Sequence, residues 1–398
     1  MATSDTHLPD TIHIDEQGCK ADASGQWLLE KEHQSGQHPI TSNNSIEVLM
    51  CGEDSFKSIA VNLANALSTV DLICWGFDPG MALVRRDSNP AWDPNQTYGA
   101  ILRRLASKGV KVRLMIWYHR VASVKQQSMP GFTDSVLPTR TFEEIRQASE
   151  RARGNGDAYQ SIPLDQRTDK DLRQDHCIEW WRWAMDKRNK GLIEVRHRDG
   201  DKYTIRQSFL SEASQPQGHW NGVPVQKILA EDFGTHHQKT VLIDYHHASA
   251  KAVGYVMGLN SLTQYWDTSD HLFNDPKRDL DHGGTTDTYK RVKKAGGNVL
   301  KVRVDPLHDY VCRIEGEALQ FVNDNFCDGW ELVGGNTNRG VPAKLAEATF
   351  AGSNARLQIV RTSTAPGKPI DKTIKDAYFH ATEFARRYLY LETQYFQY

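Results

Sequence analysis

Between residues 45 and 117 the chain switches hydrophobic period repeatedly, and that alternation limits the folds open to it. Residues 45–51 read as a strand. Residues 54–68 carry apolar side chains at helical spacing: Phe56, Ile59, Leu63, Ala66 and Leu67. Residues 70–77 read as a second strand and 98–107 as a helix built on Ile101, Leu102 and Leu105. Gly109 ends that helix, and 110–117 form a third strand. Strand, helix, strand, helix, strand in sequence predicts an α/β fold, a parallel or mixed sheet with helices on its faces.

The rest of the chain is less regular. Residues 1–43 are polar and weakly patterned, and read as an extension or loosely packed arm. Residues 120–225 interrupt the alternation with Pro130, Pro138 and Pro163, so they are expected to form a helical insertion. Its helix, 171–189, carries Trp180, Trp181 and Trp183, which cannot all share one helical face. Packing inside the insertion and a membrane-touching or lid surface are both open to them. Sheet-like sequence resumes at 239–244, 252–259 and 298–304, followed by a helix at 317–326. A strand at 357–362, a helix at 371–387 and an aromatic strand at 388–395 close the chain. "SFKSIAVNLANALSTVDLICWGF" and "TIKDAYFHATEFARRYLYLETQYF" both read as helix then strand, a hint of two related halves with the second incomplete.

Bulk properties exclude some functions. The 398 residues hold 48 basic and 50 acidic side chains, a formal net charge of −2, so no global basic field marks the chain for nucleic acid. The six cysteines are scattered without a C-x-x-C pair; buried free thiols are expected rather than a disulfide framework or a zinc site. The N-terminus, MATSDTHLPDTIHID, lacks the basic and apolar regions of a secretory signal peptide, and no apolar run could cross a bilayer. Synthesis in the cytoplasm is the expectation.

The chemistry concentrates in "HHQKTVLID", residues 236–244. His237, Lys239 and Asp244 fit H-x-K-x4-D. Alternation along a strand would put His237 and Lys239 on one face, with Thr240 and Leu242 on the other. A neutral imidazole can attack phosphorus, and an ammonium beside it can hold the anionic oxygens. Asp244 has the opposite parity and suits a structural hydrogen-bond acceptor better than a reacting group. The bland alternative for the pair is a strand-edge His with a solvated Lys. His236 reads as a structural neighbour, and His246 and His247 receive no role.

The flanks carry more weight than the pattern. "THHQKTVLID", "GLNSLTQYWDTSDHLF" and "PLHDYVCRIEGEALQFVNDNFCDGW" resemble, in order, the conserved blocks of the phospholipase D superfamily, HKD type, and most of all its lipid-cleaving branch. "VDLICWGFDPG" and "GVKVRLMIW" look like strands of the first half-domain, and "LQIVRTS" with "RYLYLETQYF" like the entry to a second. The resemblance implies a phospholipase D-like half-domain over 44–335, with a mixed β-sheet flanked by helices on both faces and the insertion at about 120–225. Residues 336–398 would begin a second half-domain. It implies catalytic roles for His237 and Lys239 with Asp244 completing the motif. Gly258 and Asn260 match the G-x-N element, with Asn260 positioning phosphate. Asp267 and His271 match a following block with a scaffolding role. His308 and Asp309 match the "W-H-D" block, although Leu307 replaces its Trp. Glu392 and Gln394 match "E-N-Q-Y-F", with Thr393 in place of Asn. No cofactor and no catalytic metal are implied, because His and Lys supply nucleophile and charge.

The family mechanism uses two such motifs, one His attacking and the other protonating the leaving alcohol. No other His has Lys two residues on and Asp five beyond that. A fragment completed by a second HKD-bearing segment or chain is expected ahead of a dimerising half-site or an inactive relic. The likeness implies hydrolysis of a glycerophospholipid at a membrane surface, giving phosphatidic acid and a head-group alcohol. Without a signal peptide, a type VI secretion effector with a cognate immunity protein is a further expectation, as is export to a target-cell membrane. A superfamily nuclease or phospholipid synthase, or a non-catalytic binding fragment, stands as the alternative.

Overall fold

A computed structural model describes residues 11–16, 19–24, 27–86, 92–118, 128–132, 169–198, 219–220, 223–224, 236–247, 251–272, 275, 277–278, 306–342, 355–363, 369–383, 385 and 388–393. The strand expected at 298–304 lies outside them.

In chain order the described elements are β1 (Thr11–Glu16), β2 (Cys19–Ser24), α1 (Glu30–Ser35), β3 (Thr41–Met50), α2 (Cys51–Ala64), β4 (Thr69–Cys74), α3 (Tyr98–Ser107) and β5 (Lys111–Trp117). Next come α4 (Asp169–Ala184), β6 (Ile193–Arg198), β7 (His219–Trp220), β8 (Val223–Pro224), β9 (Thr240–Ile243), β10 (Val253–Met257), β11 (Tyr310–Gly316) and α5 (Leu319–Leu332). The last are β12 (Ala355–Leu357), β13 (Thr362–Ser363), β14 (Asp371–Lys372) and α6 (Thr373–Glu383).

Two compact units divide the chain. Residues 43–355 form the larger; residues 1–42 and 356–398 form the smaller.

The larger unit is built on a mixed sheet in which β3, β11, β10, β9, β4, β5 and β6 lie side by side in that order. β4, β5 and β6 run parallel, and β9, β10, β11 and β3 continue from β4 in antiparallel pairs. This is the α/β fold with a mixed sheet that the alternation predicted. Period-two alternation assigns its faces. Val70, Leu72 and Cys74 of β4 and Val112, Leu114 and Ile116 of β5 enter one core. Phe56, Ile59 and Leu63 of α2 and Leu102 and Leu105 of α3 cover them. The intervening Ile73 and Met115 pack on the opposite face against Phe326 and Trp330 of α5. Beneath α5 lies a buried bidentate ion pair between Asp71 and Arg113. Helices therefore cover both faces, and β4 and β5 read as apolar runs broken by Asp71 and Arg113, which pair with each other.

Within the stretch expected as an insertion, residues 169–198 contribute to the packed sheet. α4 packs on the sheet, and β6 extends it beside β5 with Val112 opposite Ile193. The sequence IEVRHR hid this strand, because an edge strand needs little apolar patterning and only its ends are buried. Trp180 and Trp181 are buried in the main core, against Phe77 and, for Trp181, Phe132. Their indole N–H groups donate to the Gly99 and Pro130 carbonyls at 2.7 and 2.8 Å. Trp183 is half-buried beneath the Arg103 guanidinium. That settles both tryptophans as core rather than a membrane-facing surface.

In the smaller unit β1 pairs with β2, and β13 with β14. His38 links its two chain segments: Nδ1 contacts the Ile359 carbonyl at 2.8 Å and Nε2 contacts Asp371 at 2.9 Å. The 357–362 strand resolves into β12 and β13 with 358–361 in neither, since Gln358 turns its amide to the Leu29 and His38 carbonyls. Among the described residues, 388–393 form no strand. Tyr388, Leu389, Tyr390 and Leu391 are exposed, and no described strand pairs with them to supply the ladder that aromatic β-propensity needs. No described helix is long and apolar enough to cross a membrane.

Candidate active site

The site grows from the C-terminal ends of β4 and β5. Continuing their alternation past Ile73 and Met115 brings Trp75 and Trp117 onto the same side of the sheet. The two indoles stack with centroids 5.6 Å apart and planes 7° from parallel, with Leu262 packed against them. β9 runs antiparallel to β4 with Thr240 opposite Ile73. The residues just before β9 are thus delivered to that end of the sheet, where open α/β sheets gather their ligand sites.

His237 stands there edge-on to Trp75, at 5.6 Å and 87°. Regular strand begins only at Thr240, so strand alternation is not what places His237 beside Lys239. The Met257 N–H donates to the Lys239 carbonyl at 3.0 Å and anchors the segment to β10. His237 remains open to solvent, whereas Lys239 is buried. Loss of hydration beside the indole, and secondarily the Lys239 ammonium, lower the His237 pKa to about 4. Burial likewise lowers Lys239 to about 8, against the opposing attraction of Asp309. At neutral pH the imidazole is therefore uncharged, and the amine is still mostly ammonium. An imidazole and a cation in these states can attack and clamp a phosphodiester.

Asp244 sits at the far end of β9, buried, with φ of 54°. Asp is among the few residues that tolerate this left-handed conformation. Its carboxylate accepts from the Leu67, Ser68 and Thr69 N–H groups and the Ser68 hydroxyl at 2.7–3.0 Å. It fastens the turn before β4 and is turned away from reacting groups by the length of the strand.

Gly258 lies beneath Asp309; a Cβ there would overlap the Asp309 carboxylate. That close approach lets Asp309 act on Lys239. Asn260 is buried, and its Oδ1 has no hydrogen-bond partner among the described residues. His308 is exposed and contacts His271, Nδ1 to Nε2, at 3.1 Å. Asp267 is fully buried and holds His271 through Nδ1 at 2.9 Å. Glu392 belongs to the smaller unit, exposed, and accepts from the Tyr390 hydroxyl at 3.3 Å; Gln394 lies outside the described residues. Sequence reasoning overlooked Trp75 and Trp117 as walls of the site. Their period-two spacing from Ile73 and Met115 was the available signal. It also passed over Cys51, for which spacing offers no signal.

A family model described as Phospholipase D matches residues 176–358. Phospholipase D alpha 2 of Arabidopsis thaliana is 24% identical over 433 residues, covering 98% of this chain and 44% of its own length. Phospholipase D alpha 1 of Vigna unguiculata is 24% identical over 436 residues with the same coverage. The chain thus spans less than half the length of these curated relatives. Among solved structures, NucT from Helicobacter pylori aligns over 72% of this chain and 96% of its own at 9% identity, with a TM-score of 0.28. This chain is thus similar to the family model described as Phospholipase D over 176–358, and along nearly all of its length to less than half of the plant phospholipases D.

Proposed function

We propose that this chain supplies one half of a phospholipase D-type active site, with His237 as the nucleophile and Lys239 as the cation for the phosphoryl oxygens. The observation that carries the reading is their joint environment. A neutral imidazole faces solvent beside an aromatic wall, next to a buried ammonium whose desolvation its neighbours only partly offset. A structural lysine would gain from being solvated; a buried one that keeps its charge is suited to an anionic ligand.

In the first step an imidazole nitrogen forms a bond to phosphorus and the bond to the head-group oxygen breaks. A second histidine, from an HKD motif on another segment or chain, gives its proton to the departing alkoxide. That histidine then takes a proton from water. The water oxygen bonds to phosphorus, the P–N bond breaks, and phosphatidic acid leaves. The Asn260 amide would donate to the phosphate. His308 and Asp309 would line its approach, with Asp309 moderating the Lys239 charge.

The proposed substrate is a glycerophospholipid, phosphatidylethanolamine or phosphatidylcholine, met at a membrane surface. An exported antibacterial effector, neutralised by an immunity protein, is the proposed biological setting; it rests on the lipase likeness. Release of choline or ethanolamine from vesicles tests the chemistry. The chain together with a second HKD-bearing half should release head group, and the same assembly carrying His237→Ala should not. Equal release without the imidazole overturns the assignment.

A further inference from the structure

Three residues far apart in sequence meet in the larger unit. Cys51 opens α2, His271 follows β10, and His308 precedes β11. Cys51 Sγ lies 3.5 Å from His271 Nε2 and 3.8 Å from His308 Nδ1, and the two nitrogens are 3.1 Å apart. We propose that Cys51, His271 and His308 form a zinc site that clamps the three segments together.

The distances are those of a coordination polyhedron. Zinc bonds of about 2.3 Å to sulfur and about 2.0–2.1 Å to nitrogen give tetrahedral edges of about 3.6 Å for S···N and about 3.3 Å for N···N. The three observed separations fall within about 0.3 Å of those edges. One thiolate with two imidazoles is also a donor set that suits zinc among common divalent ions.

Orientation agrees with distance. The Asp267 carboxylate accepts from the Arg278 guanidinium at 3.0 Å and from the Thr268 and Leu307 N–H groups at 2.9 Å. A carboxylate facing a guanidinium acts as an acceptor, so its 2.9 Å contact with His271 Nδ1 puts the proton on that nitrogen. Nε2 is left with its lone pair directed at Cys51 and His308. A carboxylate that fixes a ligand imidazole in this way is the usual outer partner of a zinc histidine.

The three segments are also held rigidly before any metal binds. The Cys51 N–H donates to the Asp309 carbonyl and the Glu53 N–H to the Asp267 carbonyl, each at 2.8 Å. Gly52 lets the helix start touch the backbone at Tyr265, Trp266 and Asp267, where any Cβ would collide. Three protein ligands, with His308 exposed, leave a fourth position for water. The proposal does not depend on lipid cleavage, since its readout is metal binding.

The full chain, stripped with chelator and titrated with Co2+ as a spectroscopic substitute, tests it. One cobalt per chain should bind with a thiolate-to-metal band in the near ultraviolet, and Zn2+ should displace it and raise the melting temperature. Cys51→Ser should abolish the band, and His308→Ala, at an exposed position, should weaken binding at least tenfold. Cys312→Ala should leave both intact. A wild-type chain with no thiolate band and no zinc-dependent melting shift overturns the proposal and leaves the three residues as a hydrogen-bonded cluster. A band that survives Cys51→Ser overturns it too.

Discussion

The two ends of β9 belong to one eight-residue motif, 237–244, and are put to opposite uses. At the far end Asp244 is buried, and four donors from residues 67–69 converge on its carboxylate. At the near end His237 is open to solvent, and the buried Lys239 is held in a state that dehydration disfavours. The first arrangement contributes stability, because both carboxylate oxygens are hydrogen-bonded. The second costs stability, because a buried ammonium loses more hydration than Asp309 returns. On the proposed function, residues kept at such a cost serve the chemistry, and residues so fully satisfied serve the frame. The consensus H-x-K-x4-D therefore mixes two kinds of residue.

Substitutions should separate the ends. The largest effect is expected for His237→Ala, which should lower head-group release by the completed enzyme at least about 10³-fold, about 4 kcal/mol of barrier. Its melting temperature should stay close to wild type. Asp244→Ala should do the reverse in kind, costing about 3 kcal/mol in urea unfolding by orphaning the 67–69 donors. If Asp244→Ala unfolds like wild type, the far end is not a clamp. Lys239→Met should reduce turnover about 10²-fold without lowering stability, and a loss of stability there would mean that the amine is structural. Gly258→Ala should destabilise by about 2 kcal/mol as Asp309 is pushed away, with a matching fall in activity.

The pH dependence sharpens the same contrast with the smallest effect. His237 must be neutral to attack, so kcat/KM should rise as pH climbs through about 4. Lys239 must be charged to hold phosphate, so it should fall as pH rises through about 8. Lys239→Arg, if it retains activity, should lose the alkaline limb. A limb that stays at the same pH assigns it to another group.

How much of this the sequence disclosed follows from what local pattern can carry. Apolar residues at fixed spacing revealed α3 to the residue and β4 and β5 within one to three residues at each end, because both faces of those strands are buried. β6 escaped because its pattern is that of a solvated edge. β11 escaped because YVCRIEG mixes half-buried polar residues into a strand. The motif itself was legible, and so was the mismatch of Asp244, whose parity set it apart from the reacting pair. The meeting of Cys51, His271 and His308 was not legible. Each sits alone in its segment, and only the antiparallel return of β10 and β11 beside β3 brings them together.

The central claim is that the His237 imidazole becomes bonded to phosphorus. The direct measurement is peptide mapping of the completed enzyme after a brief reaction with phospholipid and an alkaline quench, which preserves phosphohistidine. A phosphatidyl adduct on the peptide containing His237, absent from His237→Ala, is the result this account predicts. An adduct confined to another histidine, with turnover unchanged in His237→Ala, would contradict it.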